Sequence, residues 1–358
     1  MLELNILALT RYSRLGASSR GRVYQYLDYL RAHGCEVTEA PLFDDRYLQG
    51  LYHGGRRRIS SVVAAYWRRW RQFRGSSGYD LLWVQKELLP WLPAGLEAAL
   101  LPRGVPYIAD FDDAVFHRYD RHRSALVRRV LGDKVARLMA GAQTVVVGSH
   151  YLADYARQAG AGRVALIPTT VDMERYPARE ERPSGRRIGW IGTPLTARRY
   201  LPLVAGALQT LAREREFTLV LIGAGDVDMP GVSVEAHEWS DESEAALVGT
   251  LDVGIMPLPD GPWERGKCGF KLIQYMACGV PVVASEVGEN RYIVHHGEHG
   301  YLASSEADWV EALASLLDDP DEARRMGLAG RRRVEEYYSM QATAPRLLEV
   351  LRQAAGAD

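Results

Sequence analysis

The feature that most constrains this chain is an alternation. Short apolar runs and segments of helical period follow one another almost without a break, stop at one charged stretch, and then begin again. Leu4–Leu9 is the first such run, followed by a Gly/Ser-rich turn at Gly16–Ser19 and a helical pattern through Val23, Tyr26, Leu27 and Leu30. Further strands are expected at Glu36–Glu39, Leu81–Val84, Tyr107–Ala109, Thr144–Val147 and Val164–Ile167. The stretch YPAREERPSGRR, Tyr176–Arg187, is charged, carries Pro and Gly, and reads as a linker. Beyond it come strands at Ile188–Ile191, Thr218–Ile222, Val253–Met256 and Val280–Ala284, with a helix over about Ala197–Arg213 and helices to the end. Strand–helix alternation of this kind buries a parallel sheet on both faces. The expected fold class is therefore α/β, with two Rossmann-like doubly wound parallel-sheet domains, residues 1–180 and 181–340, facing each other across a cleft. Ligands in such sheets sit at the carboxyl ends of the strands. A terminal helix, about Met340–Gln353 within 341–358, either continues the second domain or crosses back to the first.

Length and composition agree with this reading. A chain of 358 residues exceeds one ordinary core. Hydrophobic residues at 47% and charged residues at 25% are those of a soluble globular protein, and a net charge of −1 provides no field for nucleic acid. The scattered Cys35, Cys268 and Cys278 have no metal-ligand spacing and point to a reducing compartment. The N-terminal apolar run is too short for a signal peptide and lacks a basic flank, and no stretch reaches the ~18 apolar residues of a membrane span. A cytoplasmic location is expected.

Several motifs carry competing readings. HHGEHG, His295–Gly300, matches the H-x-x-E-H pattern of zinc peptidases, but that chemistry needs a helix, and Gly297 and Gly300 make it a turn. No metal site is expected there. DFDD, after the strand-like VPYIA, holds Asp110, Asp112 and Asp113, where one carboxylate caps a helix or one is catalytic. Asp110-x-Asp112 also has a spacing that can hold a divalent cation, a weak pattern of three residues. There is no GxxxxGK[ST] loop, and GAG at Gly223–Gly225 lacks the third glycine of a dinucleotide fingerprint. The basic aromatic segment Arg56–Arg74 places Val63, Tyr66, Trp67 and Trp70 at helical spacing among Arg68, Arg69 and Arg71. It reads either as a surface helix burying one apolar stripe or as a contact with an anionic membrane or lipid-linked substrate.

The stretch KCGFKLIQYMACGVPVVAS, Lys267–Ser285, raises the sharpest question, because a lysine and a glutamine stand at a helix start with no carboxylate beside them. A glycine-containing turn at Gly266–Gly269 lets backbone amides approach a ligand, and the helix offers its positive end. Lys271 adds a point charge suited to phosphate. Gln274, one turn on along the same face, can pair with vicinal hydroxyls such as those of a ribose. The plainer reading is a solvated polar face.

At these residues the chain resembles the GT-B glycosyltransferases, most closely the retaining enzymes of family 4. The likeness is strongest over Ile188–Ala303 and reappears at VVVGSHYLADYA and VALIPTTVDMERY. It implies a GT-B fold with an N-terminal acceptor-side domain and a C-terminal donor domain. It further implies a UDP- or GDP-linked sugar as donor, no separate cofactor, and an acceptor that is a glycan, a lipid-linked sugar or a small molecule. In the family, two glutamates separated by seven residues precede the MACG-x-PVV stretch, one holding the sugar and the other the ribose. Here Gly266 and Gln274 occupy those places. The Lys271-x-x-Gln274 variant resembles that of other GT-B enzymes, in which lysine meets the phosphates and glutamine the nucleotide. Gly269 and Phe270 open the same helix on the donor side, and nearby Glu264 is the candidate for the lost sugar contact. The family's arginine and lysine, five residues apart, correspond to Thr193 and Arg198, so that Lys271 and Arg199 are left to compensate for the missing cation. Gly16 lies where the family's glycine loop approaches the donor phosphates. Asp112 or Asp113 lies where its catalytic-side histidine follows a strand. His237 and Trp239 match, loosely, the segment that borders the nucleobase.

The chemistry implied is sugar transfer from a nucleotide-diphosphate donor to a hydroxyl. The leaving diphosphate gains negative charge, which a site without metal meets with lysine, arginine and helix-end amides. Retention is the implied outcome. The alternatives are inversion with Asp112 or Asp113 as general base, or a catalytically silent sugar-nucleotide-binding subunit lacking both glutamates.

Overall fold

The computed structural model describes residues 4–52, 59–177 and 185–357. Arg56–Arg58 of the basic segment and the middle of the expected linker lie outside the described residues. Two compact units emerge. One comprises residues 1–169 with Gly266–Cys268 and 343–358, and the other comprises Thr170–Arg265 with Gly269–Ala342.

The first unit is built on a parallel sheet of β1 (Leu4–Leu9), β2 (Cys35–Glu39), β3 (Leu81–Gln85), β4 (Tyr107–Phe111), β5 (Thr144–Val147) and β6 (Val164–Leu166), in the order β2-β1-β3-β4-β5-β6. The second carries β7 (Arg187–Ile191), β8 (Thr218–Ile222), β9 (Ser233–His237), β10 (Val253–Met256), β11 (Val282–Ser285) and β12 (Gly300–Ala303), in the order β12-β11-β10-β7-β8-β9, again parallel. Strands such as LNILAL and TLVLI read as continuous apolar runs because helices cover both faces of each sheet, and Ile6, Leu9, Trp83, Leu219 and Leu221 are fully enclosed. Strand order reverses between β1 and β3 in one sheet and between β7 and β10 in the other. Those two switch points are where an open sheet of this type leaves a crevice for a ligand.

Three local expectations change. The helix expected over Ala197–Arg213 is two helices, Pro194–Tyr200 and Ala205–Glu214, joined by a tight turn at Leu201–Leu203, because Pro202 removes a backbone donor. Strand β11 begins after Pro281 rather than at Val280. Strands β9 and β12 have no counterpart in the sequence reading. The terminal helix, Met340–Ala355, groups with the first unit from Thr343 onward, where the Tyr26 and Thr343 hydroxyls lie 2.9 Å apart and Arg352 donates to the His33 carbonyl at 2.8 Å.

Candidate functional site

In the second unit the chain leaves β7 through Gly192 and Thr193 into the helix Pro194–Tyr200. Thr193 and Thr196 form a capping box there, and Pro194 stands in the first turn. A Cβ at Gly192 would lie 2.9 Å from Lys271 Nζ and 2.9 Å from Thr196 Oγ1. The lysine therefore reaches the switch point of the sheet, with Nζ 3.8 Å from the centre of the buried Trp190 ring, a cation–π contact. Its own helix, Phe270–Ala277, starts at Gly269, which has φ +64° and offers no side-chain cap, so the first-turn amides keep their positive end uncovered by any side chain of that residue. Gly269 is required on two counts, since a Cβ in that left-handed conformation would also meet Ile293 at 2.2 Å. Gly223, after β8, closes the same corner, because a Cβ on it would sit 2.5 Å from the Gly192 carbonyl oxygen and 2.9 Å from Trp239. The GAG stretch, unremarkable as a dinucleotide fingerprint, thus packs directly against the turn that follows β7.

Gln274 is 3% exposed, not a free amide on a solvated face. Its Nε2 donates to the Tyr176 hydroxyl at 3.4 Å, Tyr176 donates to Glu244 Oε1 at 2.5 Å, and Trp239 Nε1 donates to Glu244 Oε2 at 2.6 Å. A buried polar chain therefore links Gln274 to the half-exposed Trp239. Glu264 is also buried, and it accepts from Tyr200 at 2.9 Å and pairs with Arg199 at 2.6 Å. Two residues read as contacts of different parts of the donor, Arg199 with phosphate and Glu264 with sugar, are here partners of each other. Arg198 is exposed on the same helix. His237 engages Glu235 at 2.5 Å, and Arg187 grips that carboxylate with two bonds and brings its pKa to about 2. His237 thus belongs to an edge-strand cluster, while Trp239 lies against Gly223.

In the first unit, Asp110 is a structural acid, buried and bonded to Arg22 at 2.7 Å and to Trp83 Nε1 at 3.2 Å. Lys86 Nζ lies 2.9 Å from both Asp112 and Asp113. Burial raises the pKa of Asp112, but Lys86, Ser18 and Arg22 outweigh it and hold the carboxyl below its usual range. Helix capping does not account for these acids, since the next helix, His117–Asp120, is capped at Phe116 with no side chain involved. Lys86 itself adopts φ +65°, a strained conformation for a side-chain-bearing residue. Gly16 opens the helix Ala17–Arg22 where a Cβ would lie 2.5 Å from Tyr12 Cβ, and Ser18 and Ser19 tie that loop to Gln85 at 2.8 and 2.6 Å. Cys268 donates to the Asp112 carbonyl at 2.9 Å.

His295, Glu298 and His299 do lie on a turn, yet that turn gathers their ligand atoms within 4.8 Å of one another, so a helix is not needed for the spacing. The tautomer opposes a metal. His299 Nδ1 accepts from the His295 amide at 3.2 Å, which leaves the ring proton on Nε2, the nitrogen facing Glu298 at 3.4 Å.

Sequence reasoning missed Lys86, Trp190, Gly223, Tyr176 and Glu244. A glycine pair directly after a strand was the available signal for Gly223. Lys86, Trp190 and Tyr176 are far in sequence from the residues they touch, and Glu244 is five residues from Trp239 but 68 from Tyr176.

Two family models match the chain in succession, one described as Glycosyltransferase Family 4 over residues 22–175 and one as Glycosyl transferases group 1 over residues 185–319. Among curated relatives, an MMP alpha-(1->4)-mannosyltransferase of Mycolicibacterium hassiacum is 31% identical over 258 residues, covering 65% of this chain and 60% of that protein. The chain thus spans less than two thirds of that relative's length. Two solved structures share the fold. Sucrose-phosphate synthase from Thermosynechococcus elongatus superposes with a TM-score of 0.74 at 19% identity over 99% of this chain and 100% of the other. Anabaena HepE in complex with UDP-glucose does so with 0.70 at 16% identity over 98% and 100%.

Proposed function

The chain belongs to the group 1, family 4 glycosyltransferases, with the GT-B fold, and from that premise we propose that it transfers a sugar from a UDP- or GDP-linked donor to an acceptor hydroxyl with retention and without a metal. The observation that carries this reading is the set of groups gathered at the β7/β10 switch point. There Lys271 Nζ, the face of Trp190, the close backbone of Gly192 and the start of the helix Phe270–Ala277 converge. A diphosphate accumulating charge as the sugar departs is met by such a group of donors. Trp239, beside Gly223, is the surface on which a base would stack, and Gln274 holds the ribose edge through the Tyr176–Glu244 chain.

Support for retention comes from Asp112. A carboxylate held below its usual pKa by Lys86 is a weak acceptor for a hydroxyl proton at neutral pH, which disfavours the inverting alternative through that residue. Asp112 and Asp113, with Lys86, then form the acceptor-side polar group. We also propose that the outer face of the helix Ile59–Arg74 meets an anionic membrane surface. The stripe read as buried is divided, because Val63 is 62% and Trp67 is 59% exposed while Tyr66 packs against the core and Ala65, Arg69 and Phe73 face inward. No helix among the described residues is long and apolar enough to cross a membrane.

The test is a thermal-shift panel of nucleotide sugars followed by acceptor-dependent release of UDP or GDP. One donor class should raise Tm and be consumed. If no nucleotide sugar stabilises the folded chain, the reading is wrong.

A further inference from the structure

Two residues on the connection after β3 hold a backbone conformation that side chains rarely adopt. Lys86 and Trp91 both have φ +65°, and for a residue as bulky as tryptophan that geometry is strained. The connection is held from several sides. The Leu89 amide donates to Glu97 Oε1 at 2.6 Å, and the Leu89 carbonyl accepts from Lys134 Nζ at 2.6 Å. The Tyr66 hydroxyl donates to the Pro90 carbonyl, and the Trp91 amide donates to the Tyr119 hydroxyl at 3.1 Å. Lys86 has a visible task, since its Nζ ties down Asp112 and Asp113. Trp91 does not have one in the core. It is 46% exposed, so burial does not offset its strain. The Tyr119 and His122 rings stand nearly perpendicular to the indole, with centres 5.2 and 5.8 Å away, and fix its plane.

The location gives this half-exposed ring a meaning. Tyr119 lies on the helix His117–Asp120, which follows the DFDD connection, so Trp91 is fixed between the same two connections that Lys86 joins. Those connections leave the carboxyl ends of β3 and β4, and β3 adjoins β1 at the switch point where a ligand of this sheet is expected. We infer that Trp91 is an acceptor-specificity residue, whose indole face is a platform for a pyranose ring of the acceptor. This rests on the reading of the first unit as the acceptor side. A pyranose turns a face of C–H groups to the π electrons of an indole and carries its hydroxyls around the rim. Polar groups for that rim stand on the same two connections. His122 Nδ1 accepts from the Ser124 amide at 3.1 Å, which leaves the ring proton on Nε2 as a donor, and the Asp113 and Arg118 side chains are each about one third exposed, 31% and 32%. A lipid chain finds a poorer match, because the exposed or partly exposed side chains beside Tyr119 are Arg118, Arg121 and His122.

The test is saturation-transfer NMR on the full chain with methyl α-D-mannopyranoside, methyl α-D-glucopyranoside and methyl N-acetyl-β-D-glucosaminide, with glycerol as the acyclic control. At least one pyranoside should bind the wild-type chain, its ring C–H protons receiving most of the saturation, and glycerol should not. Trp91→Leu keeps apolar bulk without an aromatic face and should weaken that binding roughly tenfold, the scale of one aromatic contact. Trp91→Phe keeps a smaller face and should lose less. Trp91→Gly relieves the left-handed strain, so its Tm should equal or exceed that of the wild type while sugar binding is lost. The inference is overturned if no pyranoside binds the wild-type chain, or if every affinity is the same in Trp91→Leu. Unchanged sugar affinity with weaker sedimentation on anionic vesicles would instead assign the indole to a membrane. Unchanged sugar affinity with a lower Tm in Trp91→Gly would assign it to packing. Binding of UDP- and GDP-sugars to the wild-type chain reports separately on the donor site, so failure of the donor reading would be seen independently.

Discussion

At the scale of single residues, burial decides how a substitution should be read. Gln274 is enclosed and tied to Tyr176, so Gln274→Ala should act twice. Donor binding should weaken by roughly 5–30-fold, about 1–2 kcal/mol for a lost hydrogen-bonding partner, and stability in urea should fall by a similar amount. A loss of binding with unchanged stability would mean that the amide is not held as described. His299 supplies a pH effect. Burial, with Arg333 and His295 nearby, lowers its pKa to about 4 against the contribution of Glu298. A histidine whose folded pKa lies below its ordinary value of about 6.5 takes up its proton more readily in the unfolded chain, so stability should fall as pH drops from about 6.5 toward 4. His299→Gln should flatten that part of the curve, as followed by Tm against pH. An unchanged slope would assign the acid sensitivity elsewhere.

At the scale of elements, periodicity revealed most strands because those at the centre of each sheet are apolar throughout. It failed for β9, Ser233–His237, an edge strand whose SVEAH sequence keeps one face polar, and for β12, a short GYLA run entered from a turn. The helix Ile59–Arg74 was legible as a helix but not for which face it buries, since Arg69 turns inward while Trp67 turns out. That outer face carries the membrane proposal. The protein should sediment with anionic vesicles and not with neutral ones, the binding should weaken with salt, and Trp67→Glu should abolish it. Equal sedimentation with both vesicle types would return the helix to ordinary surface packing. The Lys271 helix was legible for a different reason. Its glycine turn, its cation and the apolar strand behind it lie within one short stretch, whereas Lys86 and the acids it joins are 26 and 27 residues apart, with no local signal to connect them.

At the scale of the whole molecule, two doubly wound sheets repeat one plan, yet the chemistry placed at their switch points differs. The first unit gathers carboxylates balanced by Lys86 and Arg22, and the second presents Lys271 against an aromatic face and an open helix start. That asymmetry fits the proposed transfer, in which the first unit would receive the acceptor hydroxyl and the cationic second unit the departing diphosphate. The central claim is that Lys271, and not a metal ion, meets that diphosphate. Calorimetric titration of UDP- and GDP-sugars in excess EDTA tests it most directly. The wild-type chain should bind one donor class with chelator present, and Lys271→Ala should lose roughly 2–4 kcal/mol of that affinity, some 30- to 1,000-fold. Binding that disappears with EDTA, returns with Mn²⁺ and is indifferent to Lys271→Ala would contradict it.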